Sequence, residues 1–336
     1  PELDGRIEPI VTHAPRRKRV NGEVVEEYVA VRDRVEKLAR RVYRWVKLRR
    51  KKNSEKKVAI IIYNYPPGEH NVGSAAYLDT LASLEALLKA LEERGYAVKP
   101  LTREELKSLI SGYLVNSPTW SQHAGDVPRL PVAEYVEHFR SLPGAEEVVR
   151  TWGQPPGSIN VDGDSFIIPG VVLGSVFIGV QPPRGVHEDS SKLYHSKDLP
   201  PHHQYIAFYY WLREVFKADV IVHLGTHGTL ELMPGKEVGL SSRCWPDVLI
   251  GEVPHVYVYH VTNPSEMTIA KRRGYAYVIT HGTPPFTDAG LYGEYAELEQ
   301  LLSEYVGERD PGRRRILESM IREKCKALSL GCGDYE

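Results

Sequence analysis

The sequence is poor in sulfur, with three cysteines (Cys244, Cys325 and Cys332) and three methionines among 336 residues. So few cysteines in so long a chain exclude a disulfide scaffold and suit a reducing compartment, so a cytoplasmic location is expected. Cys325 and Cys332 have no second pair beside them, which makes a poor zinc signature, and Cys244 reads as packing. Long apolar runs are missing too. The longest, Val58 to Tyr63 and Val171 to Val180, are strand-sized and far from the roughly 18 to 20 residues of a membrane helix. A soluble protein with no membrane span is expected. Net charge is almost absent, with 43 basic against 44 acidic residues and a pI near 7.0, which gives no global attraction to nucleic acid. The chain opens Pro1-Glu2-Leu3, without Met or a charged-then-apolar leader. No secretion signal is expected, and the chain reads as a piece of a longer polypeptide.

What is present supports a folded protein. The chain is 42% hydrophobic and 26% charged, enough for a core spread over two or three domains. The balanced charge hides an asymmetry: residues 1–57 hold 18 basic against 9 acidic residues, and the remainder 25 against 35. Residues 1–30 are polar and interrupted by proline, and read as a loop or a ragged edge. Residues 32–52 read as a helix whose apolar face carries Val35, Leu38, Val42, Trp45, Val46 and Leu48, with a basic opposite face running from Arg40 to Lys52. That basic face reads as a solvated surface where parts of a bigger protein join. Lys57 to Tyr63 is a buried-type strand. A Pro-Gly loop, a helix from about Ser74 to Arg94 and a short strand Tyr96 to Val98 follow, the order of a βαβ unit. Further strands are expected at 165–168, 171–180, 219–224, 255–261 and 276–280, with charged helices after Tyr292. The fold class is therefore α/β, with open, mostly parallel sheets flanked by helices in two or more packed subdomains. The boundaries expected are a basic extension and linker helix at 1–56, an α/β subdomain at 57–155, a second at 156–290 and terminal helices at 291–336.

The strongest local signal is His223-Leu-Gly-Thr-His227-Gly-Thr-Leu-Glu231. Two histidines four apart flank a Gly-Thr at the carboxyl end of an expected strand, the edge where open α/β sheets bind ligands. Imidazole and carboxylate together suit a divalent metal or acid–base work near neutral pH. His202-His203 precedes an aromatic helix, and one of the two reads as structural. His281 follows another strand end and reads as a turn residue. Gly68 to Ser74 echoes a phosphate loop but lacks its lysine, and Gly235-Lys236 has no glycine five residues before it. With no Walker A motif, energy for any driven reaction must come from a partner.

Four stretches together resemble a known family. They are Asn64-Tyr-Pro-Pro-Gly-Glu-His-Asn-Val-Gly-Ser-Ala-Ala-Tyr-Leu-Asp79, then Val176 to Pro183 followed by Pro200-Pro-His-His203. The third and fourth are His223 to Lys236 and Asn263-Pro-Ser-Glu-Met-Thr-Ile-Ala-Lys-Arg-Arg273 with Thr283-Pro-Pro285. They resemble the large, porphyrin-binding subunit of cobaltochelatase and the H subunit of magnesium chelatase, in its central to C-terminal part. The resemblance implies ATP-dependent insertion of Co2+ or Mg2+ into a tetrapyrrole, a nitrogen–metal ligase reaction. AAA+ ATPase subunits would hydrolyse the ATP, and the remainder of the large subunit would be a further partner.

On that resemblance, His223, His227 and Glu231 are expected to hold the metal and accept protons, with Glu137 as a further catalytic candidate. Asn64, His203, Lys271, Arg272 and Arg273 are expected to meet the substrate. Thr226 and Asn263-Pro-Ser-Glu resemble the magnesium type. Low Met and Cys with abundant Arg, Glu and Tyr suggest a thermophile, which favours cobalt and a cobalamin route. Two other readings compete: a zinc-type metallohydrolase built on His223, His227 and Glu231, and a non-catalytic tetrapyrrole carrier.

Overall fold

The computed structural model describes residues 5–64, 72–73, 75, 78–113, 127–184, 196–225, 228–258, 264–280, 293–308, 310–328 and 330. The chain forms two compact units, residues 1–282 and 283–336.

The first unit begins with a departure from expectation. Residues read as a loop form a hairpin in which β1 (His13–Val20) pairs antiparallel with β2 (Glu23–Ala30). Asn21 and Gly22 take φ of 54° and 89° at its turn, the conformation Asn-Gly favours because it matches strand twist. Most of both strands is exposed, so apolar and polar residues do not alternate, and alternation is the usual mark of a strand.

The next element, α1 (Arg32–Arg50), lies where the periodicity places it; Leu38 and Leu48 pack against the cores as expected, but the valines of the same face do not. Val35, Val42 and Val46 are 39%, 49% and 41% exposed, whereas Arg34, Lys37 and Arg41 are buried. Those three cations share a helical stripe and find partners in the body. Arg34 Nη1 donates to Asp247 Oδ1 at 3.0 Å and Lys37 Nζ to the Asp247 carbonyl at 3.2 Å. Arg41 forks Glu8 through Nε and Nη2, and its Nη1 donates to the Gly251 carbonyl at 2.9 Å. The basic helix is thus an anchored one, not a wholly solvated face.

β3 (Val58–Ile62) is buried along its whole length. The next helix, α2 (Thr80–Glu93), starts later than expected because the Asp79 carboxylate caps it, accepting from the Ala82 N–H at 3.0 Å. The expected strand at 96–98 does not form; the Ala97 carbonyl only accepts one hydrogen bond from the Ser175 N–H. After α3 (Arg103–Tyr113) come β4 (Arg129–Pro131), α4 (Val132–Phe139) and α5 (Ala145–Trp152). β5 (Val161–Asp162) and β6 (Ser165–Ile167) complete a small sheet of order β4-β6-β5. The run expected as one strand from 171 to 180 is a hairpin, β7 (Gly170–Leu173) and β8 (Val176–Val180), turned at Gly174 with φ 63°.

The remaining elements of this unit are α6 (His203–Tyr210), continued by a π turn at Trp211–Val215, β9 (Val220–Leu224), α7 (Trp245–Ile250), β10 (His255–Val258), α8 (Pro264–Gly274) and β11 (Tyr277–Ile279). The main sheet has the order β11-β10-β9-β3-β8-β7, parallel throughout except for the β7–β8 pair. β3 lies between β8 and β9, so one sheet draws strands from both stretches 57–155 and 156–290. Alternate residues of β3 feed two cores, as a sheet covered on both faces requires. Ala59 and Ile61 pack with Phe177, Ile221 and the aromatic helix α6, while Val58, Ile60 and Ile62 pack with Leu84, Leu88 and Ile178. Among the described residues no helix is long and apolar enough to cross a membrane.

The second unit contains α9 (Glu294–Gly307) and α10 (Pro311–Ala327), the charged helices expected there. Asp310 caps α10 by accepting from the Arg313 N–H at 2.7 Å. Cys325 is disulfide-bonded, whereas Cys244 in the first unit is free and buried.

Candidate functional site

The parallel strands β3, β8, β9 and β10 end on one edge of the sheet, and that edge gathers polar side chains. Tyr63 and Asn64 follow β3, Gln181 follows β8, and Gly225, Gly228 and Thr229 follow β9. Tyr257 lies within β10. Its hydroxyl accepts from the Gly228 N–H at 2.8 Å, and the Gln181 Oε1 accepts from the Thr229 N–H at 2.8 Å. Side chains from two other strands therefore hold the backbone just after β9. Tyr63 lies edge-on to His223 and to Tyr257, with ring centroids 5.5 and 6.1 Å away. It lies so close to Gly228 that a Cβ there would come within 2.6 Å of the ring.

His223 itself is fully buried. Its Nδ1 lies 2.9 Å from His255 Nε2, and its Nε2 lies 3.1 Å from the Tyr209 hydroxyl. Burial, reinforced by the neighbouring imidazole, pushes His223 well below the usual histidine range, and burial holds His255 at about 4. Burial above all, with a contribution from the Glu231 carboxylate, keeps the Tyr63, Tyr205 and Tyr209 phenols protonated far above their usual range. His227 lies outside the described residues.

Glu231 is buried on a one-turn 3-10 helix, Leu230–Leu232. It lines a cleft of about 180 Å³ with Lys197, Glu237, Met233, Ile269 and Arg273. Lys197 and Glu237 pair across this rim at 3.2 Å. Arg273 serves this segment as a staple. Its Nε donates to the Glu231 carbonyl at 2.7 Å, its Nη1 to the Gly235 and Lys236 carbonyls, and its Nη2 to the Met233 carbonyl. Little of that guanidinium remains for a substrate. Lys271 beside it is buried and Arg272 half-buried. Among the described residues no three His, Cys, Asp or Glu side chains gather in a metal-holding group.

The other expected residues are dispersed. Asn64 is half-buried at the end of β3. His203 is fully buried, with Nδ1 2.9 Å from the Tyr135 hydroxyl and Nε2 3.0 Å from the Gly153 carbonyl. It ties α6 to α4, while His202 caps α6. Glu137 is exposed on α4, whose other polar residues Glu134 and His138 engage Tyr210. So the structure puts His223 near the end of β9 and Glu231 in the segment that follows it, and leaves His203 and Glu137 on the α4 side. The residues that sequence reasoning missed are Gln181, Tyr205, Tyr209, Thr229, His255 and Tyr257. Their signal was a polar residue ending or opening an apolar strand (Gln181, His255), and tyrosines four apart on α6.

An open parallel sheet with its polar groups collected beyond the strand ends is the layout of a ligand-binding α/β protein. Comparison with known proteins sharpens that class. The chain belongs to the CobN/Magnesium Chelatase family, which matches residues 1–334. It is 41% identical over 333 residues to the chloroplastic magnesium-chelatase subunit ChlH of Oryza sativa subsp. indica, covering 98% of this chain and 23% of that protein. It is 38% identical over 331 residues to the aerobic cobaltochelatase subunit CobN of Pseudomonas aeruginosa, covering 96% and 26%. The solved catalytic subunit of cobaltochelatase from Mycobacterium tuberculosis matches with a TM-score of 0.74 and 35% identity, covering 98% of this chain and 28% of that one. The resemblance carried by the four motifs is thus borne out, and the chain spans about a quarter of the length of these relatives.

Proposed function

We propose that the chain is the tetrapyrrole-binding catalytic part of the large subunit of an ATP-dependent metal chelatase. The observation that carries the reading is family membership across residues 1–334. The ligand edge after β9 supports it. Insertion of a divalent ion requires two pyrrole protons to leave and the ion to exchange water for ligands that release it again. Glu231, buried beside a cleft, and His227 are the groups we assign to those tasks. We assign Asn64 and Arg272, with Lys197 beside the Glu231 cleft, to the polar arms of the macrocycle. ATP is hydrolysed on AAA+ partner subunits, and the remainder of the large subunit completes the assembly, which works in the cytoplasm.

Of the two metals, we favour Co2+ and a corrin precursor, on the thermophile-like composition: three Met and three Cys against 20 Tyr. Mg2+ insertion into protoporphyrin IX is the second reading, supported by Thr226 within His223 to Glu231. The experiment is fluorescence quenching of the purified chain with protoporphyrin and with a metal-free corrinoid precursor, side by side. Tighter binding of the corrinoid supports cobalt and tighter binding of protoporphyrin supports magnesium. Binding of neither would sink the proposal for this chain. In a reconstituted assembly, His227→Ala and Glu231→Gln abolish insertion and leave macrocycle binding intact.

A further inference from the structure

One unbroken line of buried hydrogen bonds runs across the ligand edge, and its polarity can be worked out from both ends. At one end the Gly274 carbonyl, the last residue of α8, lies 2.7 Å from His255 Nδ1. A carbonyl only accepts, so His255 carries its proton on Nδ1. Burial holds both imidazoles below the usual histidine range, so at neutral pH His255 Nε2 is left as a bare lone pair. The 2.9 Å contact then takes its proton from His223 Nδ1. His223 Nε2 is bare in turn, and it accepts the Tyr209 hydroxyl proton at 3.1 Å.

At the other end a backbone N–H only donates. Thr229 N–H points to Gln181, which places the amide oxygen there, and the Thr229 hydroxyl donates to the same oxygen at 3.1 Å. Gln181 Nε2 therefore faces Tyr209 and donates to its oxygen at 2.7 Å. The Tyr205 hydroxyl, 2.9 Å from Thr229 Oγ1, closes the line as a donor. The two ends impose the same order, and they meet at Tyr209 without conflict.

We infer that His223 is a positioning residue held as its Nδ1–H tautomer by this one-way line, that it does not ligate the metal substrate, and that the line fixes the Thr229 backbone in register with the end of α8. The line joins α6, β8, β9, β10 and α8, so it sets the relative placement of Glu231 and the Lys271–Arg273 cluster. Both ring nitrogens of His223 are spent within it. For the catalytic consequence, the inference rests on the chelatase reading; the hydrogen-bond order does not.

The test is a long-range proton–nitrogen spectrum of the full chain with 15N-labelled histidine at neutral pH, with and without Zn2+ as a diamagnetic probe. Two buried imidazoles are expected as Nδ1–H tautomers, with resonances that Zn2+ leaves unmoved. An Nε2–H pattern for His223, or a Zn2+-induced shift of its Nε2, would overturn the inference. Gln181→Ala supplies the second readout. The Thr229 amide should exchange about tenfold faster than in the parent, the factor expected for one lost buried hydrogen bond, while both histidines keep their tautomers. Unchanged exchange at Thr229 would overturn the claim that Gln181 holds the loop. Both readouts are independent of macrocycle binding, so a failed quenching experiment removes the function and leaves the line standing.

Discussion

Two regions of the first unit bury polar groups in opposite ways. Under α1, full charges are buried: Arg34, Lys37 and Arg41 meet Asp247, Glu252 and Glu8. Beyond β9, neutral groups are buried: two imidazoles, two phenols, an amide and a hydroxyl. Buried charge is tolerated only when each ion meets its opposite, and burial still pushes the Lys37 ammonium below its usual range despite Asp247. The neutral line pays no ionic desolvation, but it holds only while every member keeps its proton on the correct atom. One region resists geometry errors poorly, and the other resists acid poorly.

The largest expected effect comes from breaking the charged region. Arg41→Ala leaves Glu8 buried without its fork and should cost about 3–5 kcal/mol, read from denaturant unfolding. A cost below about 1 kcal/mol would mean that water reaches this pocket. Acid should break the neutral region next. The folded-state pKa of His255 is depressed to about 4, and that of His223 is also lowered. The stability these groups contribute is full above the unfolded value near 6.5 and is lost as pH falls toward 4, at up to about 1.4 kcal/mol per pH unit for each histidine. A melting temperature flat from pH 7 to 4.5 would contradict that. Tyr209→Phe, which removes the donor to His223, should cost about 1–3 kcal/mol in the same unfolding assay. Smallest of all, Val42→Lys on the exposed stripe of α1 should change stability by no more than about 0.5 kcal/mol. A larger loss would show that the stripe is covered.

Much of the fold was legible. β3 and β9 read as buried strands because sheets covered on both faces need continuous apolar runs, and the α/β class followed from their alternation with helices. The hairpin at 13–30 was missed because its exposed faces erase alternation, although Asn21-Gly22 marked the turn. Part of the apolar face of α1 packs as expected, at Leu38 and Leu48; burial of Arg34, Lys37 and Arg41 was not legible because it depends on Asp247 and Glu8, which hydrophobicity alone does not bring to the helix. Of the site, the segment after β9 was legible from His223 and Glu231. Gln181, Tyr209 and His255 were not, since each sits in or directly beside an apolar strand or aromatic helix and acquires its role only through contacts that the topology creates.

The closeness of Gly228 to Tyr63 has a consequence for inheritance. Any side chain at position 228 must displace a ring that is 3% exposed and wedged against His223 and Tyr257. No flexible tip is available to yield, because the atoms nearest the added Cβ are two carbons of the ring, Cε1 and Cζ, followed by the phenolic oxygen. A mutational scan through the segment should therefore find one codon with no permitted neighbours. A suppressor of any change there should arise at position 63, where a smaller residue reopens the space. Drift at these two distant positions would have to occur as a pair.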